Sequence, residues 1–170
     1  FRRRATGGSG EADVIALFCM HPEIAAPDDW AANYDYYLPR TEHGSSLSAC
    51  MYALAACRVN QVEEGAYPLF LKSASADLAG GGKAWAGLVY IGGTHPAAAG
   101  GAYLVLLRGF LGITRQEGRL TLAPTLPAAW KRVQLTLCYR GKRHTIDVKE
   151  GSCLDKTIFG QLESRKQVNR

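Results

Sequence analysis

The chain has 170 residues, 47% hydrophobic and 21% charged, which is a globular composition long enough for one ordinary domain or pieces of two and unlike that of a disordered protein. Its net charge of +5 draws heavily on basic residues near the ends, Arg2, Arg3 and Arg4, then Lys131 to Lys149 and Arg165 to Arg170. There is neither a basic stripe with stacking aromatics nor a recognisable module, which argues against nucleic acid as a partner, and no apolar run approaches the ~18 residues of a membrane-spanning helix.

The first ten residues combine Arg2-Arg3-Arg4 with Gly7-Gly8-Ser9-Gly10 and contain no initiating methionine or secretory h-region, so they read as a flexible or foreign start to an internal piece of something longer. A helix is expected over 11–20, with Glu11 and Asp13 in its first turn and Pro22 ending it. Residues 21–40 read as a loop punctuated by Pro22, Pro27 and Pro39 and carrying an aromatic patch, Trp30, Tyr34, Tyr36 and Tyr37. Such a patch can either seat a sugar face or cover a core.

The clearest helix spans 45–59, where Ser45 or Ser46 can cap and Leu47, Met51, Leu54, Ala55 and Arg58 recur at helical spacing. A second spans 63–78, with Pro68 expected to kink it unless the residue lies in the first turn. Gly80-Gly81-Gly82 and 83–93 read as loop. Thr94 is the expected cap of a further helix with Pro96 at its start, and 97–111 is apolar almost all round; Gly100 and Gly101 inside it predict a close approach by another helix or a ligand.

At Gly112 the periodicity changes. A short strand is expected at 119–122, and 133–139 and 143–149 form an antiparallel hairpin turned at Arg140-Gly141-Lys142; the tail from Gly151 shows no sustained pattern. Helices followed by strands that close no sheet place a domain boundary at 112–118.

The five cysteines, Cys19, Cys50, Cys57, Cys138 and Cys153, are odd in number and lack a C-x-x-C pair. Cys50 and Cys57 share a helix face two turns apart, too far for a disulfide within that helix. Buried free thiols of a cytoplasmic protein are the expectation.

Chemistry concentrates in two segments, Thr41-Glu42-His43-Gly44-Ser45-Ser46-Leu47-Ser48 and Gly92-Gly93-Thr94-His95-Pro96, each with a histidine beside small or hydroxylated residues at a helix start. A metal site built on His43 and His95 would need a third ligand that no spacing supplies. A serine nucleophile would need a G-x-S-x-G elbow, and Gly44-Ser45-Ser46 lacks the second glycine. Two readings stay open: an anion site made of hydroxyls, backbone N–H groups and histidine, or ordinary helix capping.

Several of these segments, in order and spacing from Glu11 to Val148, resemble glycoside hydrolase family 65, the maltose, kojibiose, nigerose and trehalose phosphorylases together with some acid trehalases. They are Glu11-Ala12-Asp13-Val14, Asn33-Tyr34-Asp35-Tyr36-Tyr37-Leu38-Pro39-Arg40-Thr41, His43-Gly44-Ser45-Ser46-Leu47-Ser48, Asp77-Leu78, Gly93-Thr94-His95 with Gly100-Gly101, Gly109-Phe110, and Leu120 through Pro124-Thr125-Leu126-Pro127-Ala128-Ala129-Trp130.

The resemblance implies a mainly α chain followed by β: the terminal helices of an (α/α)6 barrel over 11–112, part of a C-terminal antiparallel β-domain over 113–150, and a tail over 151–170. It implies that Ser45, Ser46 and His95 bind phosphate, with no cofactor, in inverting phosphorolysis of an α-glucosyl disaccharide to β-glucose 1-phosphate. The family's glutamine before Ala-Asp, which contacts the transferred glucosyl unit, is replaced here by Glu11, and its preceding lysine by Gly10. The general acid, a glutamic acid, belongs to an earlier part of the barrel and is assigned to no residue here, so the chain alone is expected to be inactive. A homodimer of the full-length parent is a further expectation. A hydrolase of the same family and a stand-alone carbohydrate- or anion-binding module are the alternatives.

Overall fold

The computed structural model describes residues 12–41, 43, 47–78, 83–85, 89–91, 94–116, 118–150 and 156–159. Helix α1 (Asp13–Met20) places Ile15 and Cys19 one turn apart and buries both against the core. Residues 21–40, expected to be loop, are mostly helical: 3-10 turns at Pro22–Ile24 and Leu38–Arg40 flank α2 (Pro27–Tyr37). The prolines initiate rather than interrupt, because a first-turn residue has no intrahelical partner for an N–H in any case. The Asp29 carboxylate accepts the Ala26 N–H at 3.0 Å and secures the start of α2. Trp30 and Tyr34, one turn apart, face inward, Trp30 against Phe18 (5.5 Å between ring centroids) and Tyr34 against Tyr52 (6.2 Å). These two members of the aromatic patch are core.

The centre of the helical layer is α3 (Ser48–Arg58), buried continuously from Ser48 to Ala56. Such a helix has no polar face and needs neighbours all round; α1, α2, α4 and α5 supply them. Its partner α4 (Tyr67–Ala74) is preceded by a π turn, Val62–Ala66, so that Pro68 stands in the first turn of α4. The chain is already helical through Ala66, so Pro68 lies within one continuous helical run, and the π turn just before it is the irregularity that accommodates a residue with no N–H. Helix α5 (Pro96–Leu104) continues into a second π turn, Val105–Phe110.

Gly101 of α5 lies so close to α3 that a Cβ there would overlap the Cys50 side chain, and a Cβ at Gly109 would stand 2.9 Å from the Cys57 sulfur. The two cysteines on one face of α3 thus seat into two glycines of α5 and its continuation. Gly100 does not share this role, since nothing lies within 4 Å of the space its Cβ would take.

Two short strands, β1 (Lys83–Trp85) and β2 (Val89–Ile91), pair antiparallel where loop was expected. Three residues are too few for alternation to register, although Val89, Tyr90 and Ile91 all suit extended backbone. After Gly112, whose φ of +57° turns the chain, come β3 (Thr114–Gln116), β4 (Arg119–Leu122), β5 (Arg132–Tyr139), β6 (Lys142–Lys149) and β7 (Lys156–Phe159). Strands β5 and β6 form the expected hairpin, with Arg140 (φ +51°) and Gly141 (φ +74°) both in the left-handed conformation that a two-residue turn of this kind needs. The tail is not without structure: β7 completes an antiparallel β3-β4-β7 sheet. Its four residues carry too weak a local signal, and the pairing partner is more than thirty residues away.

Leu111, Leu122, Ile146 and Val148 form a small core of their own. Trp130 joins the layers: its ring meets Phe70 at 5.5 Å, Phe110 at 5.1 Å and Tyr67 at 6.0 Å, all edge-on. Cys19 and Cys50 are buried free thiols and Cys57 is half-buried, whereas Cys138 on β5 is exposed, against expectation, because it stands on the solvent side of the hairpin. Among the described residues no helix is long and apolar enough to cross a membrane.

Candidate functional site

The start of α3, the end of α4 and the start of α5 meet at one end of the helical layer, and α4 is the mount for both histidine segments. From its last turn Lys72 donates to the His43 carbonyl oxygen (3.3 Å), while Ser73, buried, donates to the Ala98 carbonyl oxygen in α5 (3.0 Å). Three residues past the end of α4, Asp77 takes hold of His95. Its carboxylate accepts the His95 backbone N–H at 2.8 Å and pairs with Nδ1 at 2.6 Å.

This double contact fixes the imidazole of His95. With Asp77 accepting from Nδ1, the proton of the neutral ring sits on Nδ1 and the tautomer is set. Nε2, out of contact with solvent, is then an acceptor in the neutral ring and a donor only in the imidazolium. His95 also occupies the capping position of α5, with Pro96 first in the helix and no side-chain cap bond. The expectation that Thr94 caps is therefore corrected by one position: the Asp77 grip on the His95 backbone sets the entry of the chain, and the Thr94 hydroxyl is not used for it.

The other segment hangs on Tyr52, a fully buried residue of α3. The Tyr52 hydroxyl is 2.7 Å from Thr41 Oγ1, which also donates to the Tyr37 carbonyl at 3.0 Å, so the tyrosine is the donor in the first bond. The same ring meets the His43 imidazole edge-on at 4.9 Å. His43 Nδ1 lies 3.2 Å from the Ser48 hydroxyl at the start of α3, and the His43 backbone is left-handed, φ +50°. Burial, and then the charge of Lys72, hold the His43 imidazole below its ordinary value, so His43 serves as a neutral hydrogen-bonding ring at neutral pH.

Of the residues expected to form the site, His95 is placed, at the start of α5. Ser45, Ser46 and Glu11 lie outside the described residues. Two contributors escaped sequence reasoning. Asp77 appeared only within a resembling segment, and its contact with His95 spans eighteen positions; no motif or pattern singled out Lys72, in the last turn of α4. A basic residue in that position was the one available signal. Among the described residues no three His, Cys, Asp or Glu side chains group as a metal site. What the arrangement offers is an oriented imidazole, an exposed ammonium and the starts of α3 and α5 at one end of the helical layer.

Comparison with known proteins gives two matches in succession along the chain. Residues 8–103 match the glycosyl hydrolase family 65 central catalytic domain, and residues 114–153 match the family 65 C-terminal domain. The nigerose phosphorylase of Lachnoclostridium phytofermentans is 49% identical over 140 residues, 82% of this chain and 18% of that protein. The 1,2-alpha-glucosylglycerol phosphorylase of Bacillus selenitireducens is 37% identical over 158 residues (93% and 20%), and the kojibiose phosphorylase of Caldanaerobacter subterraneus is 33% identical over 153 (89% and 19%). The chain thus spans about a fifth of the length of the curated relatives it matches. A solved structure named for kojibiose phosphorylase, from the human microbiome, shares the fold with a TM-score of 0.66 at 24% identity, covering 81% of this chain and 19% of its own.

Proposed function

Because the chain belongs to glycosyl hydrolase family 65, we propose that it carries the phosphate-binding side of an inverting disaccharide phosphorylase, with α1 to α5 as helices of an (α/α)6 barrel and the strands as part of a C-terminal β-domain. The observation that carries this reading is the Asp77 grip on His95 at the start of α5, beside the Lys72 tie to the His43 segment. Ser45, Ser46 and His95 hold inorganic phosphate. Two hydroxyls and the His95 ring, which donates from Nε2 in its imidazolium form, suit a tetrahedral oxyanion, and the start of α5 adds partial positive charge.

In this reading phosphate oxygen bonds to the anomeric carbon from one face as the glycosidic bond breaks on the other. A carboxylic acid protonates the departing sugar oxygen, and the configuration inverts to β-glucose 1-phosphate. Phosphate takes the place of the base-activated water of an inverting hydrolase. The acid is a glutamic acid outside this chain, and no cofactor is involved. The identity with a nigerose phosphorylase makes nigerose the first substrate to try.

The test is an assay of the whole protein carrying this chain on nigerose, kojibiose, trehalose and maltose, with and without phosphate. Sugar phosphate is expected to form from one of them only when phosphate is present. Glucose release that needs no phosphate excludes the reading.

A further inference from the structure

At the end of α3 away from His43, about 15 Å along the helix at 1.5 Å per residue, a concavity carries arginines that form no ion pair with any described residue. It has a volume of about 350 Å³, and three arginines from three separate elements line it: Arg58 from the last turn of α3, Arg108 from the π turn after α5 and Arg115 from β3. Pro22, Ile113 and Leu120 supply apolar lining. Among the described residues none of these arginines has an ion-pair partner, and the four ion pairs present lie elsewhere. Glu23 is near enough to feel the charge of Arg108, yet its carboxylate pairs with His21 at 3.2 Å.

Three guanidinium groups lining one small cavity give it a positive wall, which a ligand of opposite charge complements. The volume is that of a small-molecule site. A single carboxylate brings one negative charge, whereas a phosphate monoester brings 1.5 to 2 at neutral pH with three acceptor oxygens. Guanidinium forks match such oxygens in pairs. The apolar lining calls for an organic body rather than a bare ion.

We propose that this cavity binds a phosphate monoester of a small organic molecule, at a site separate from His95 and independent of the role assigned to it. Arg108, half-buried, would anchor the ester oxygens, and the exposed Arg58 and Arg115 would close on them from the two sides.

The test uses phenyl phosphate, with phenyl sulfate as a probe of the same body and a single charge. Both are titrated calorimetrically into the whole protein carrying this chain and into Arg108→Gln, Arg115→Gln and His95→Asn, each checked by thermal melting. Phenyl phosphate is expected to bind the unmodified protein at least tenfold more tightly than phenyl sulfate. Its affinity should fall at least tenfold in Arg115→Gln and Arg108→Gln and stay unchanged in His95→Asn. Arg115 is exposed on a short strand, so its variant decides the matter even if Arg108→Gln fails to fold. The proposal is overturned if phenyl phosphate does not bind the unmodified protein, as when another segment fills the cavity, if Arg115→Gln leaves the affinity unchanged, or if binding is lost with His95.

Discussion

Asp77 holds His95 at two points, the ring through Nδ1 and the backbone through its N–H, and so couples the orientation of the imidazole to the entry of α5. An asparagine can keep only one of these contacts in its original form. Asp77→Asn should raise the KM for phosphate roughly 10–100-fold, the range corresponding to loss of a hydrogen bond involving a charged group, while the KM for the disaccharide moves little. Asp77→Glu should recover part of the loss. A phosphate KM unchanged in Asp77→Asn would mean that the contact only shapes the loop.

Ser45 and Ser46 are tested in the same kinetic terms. If the proposed phosphate role holds, replacing both with alanine removes two donors to a dianion, and the phosphate requirement should rise by at least tenfold. If the dependence of rate on phosphate is unaltered, the serines do not belong to the site.

Gly101 and Gly100, neighbours in α5, should respond oppositely to alanine. At Gly101 the new Cβ collides with Cys50, so Gly101→Ala should destabilise by about 1–3 kcal/mol through overpacking. At Gly100 the space is open, and Gly100→Ala should stabilise by up to about 1 kcal/mol through helix propensity. Urea unfolding of the two variants measures both. Equal effects would mean that α3 and α5 are not in close contact.

The pH dependence of His43 has a definite sign. Its folded-state value lies below the unfolded value of 6.5, so on acidification the unfolded chain takes up the proton first. Stability is therefore lost as pH falls through 6.5 towards the depressed folded value. His43→Asn keeps a residue that tolerates the left-handed backbone and removes the titration. Unfolding free energies at pH 7.5 and 5.5 should differ less in this variant than in the unmodified protein; an equal difference would assign the acid sensitivity to other groups.

How much of this could be read from the chain depended on how far each signal reached. The central helix around Met51 and Leu54 and the hairpin around Arg140-Gly141 were legible, since each repeats its pattern over several residues and has its own start or turn. Helix α2 was hidden because Pro27 was read as a break, although its position in the first turn makes it a start. Strand β7 was hidden because pairing with β4 makes it a strand, and its own composition does not. In the site, His95 could be found from the Gly-Thr-His-Pro run. Its orientation could not, because Asp77 reaches it across the end of α4 and the β1-β2 hairpin.

Lys72 and Asp77 lie only five positions apart, and the end of α4 with the turn after it therefore carries the two arms that hold the His43 and His95 segments. A shift of α4 would translate the two arms together and leave their separation nearly constant, so the two segments should keep their spacing when the surrounding helices breathe. Conversely, a substitution that frays the last turn of α4, at the buried Ser73 for instance, should loosen both arms at once and appear in kinetics as a single defect with no contact to either histidine.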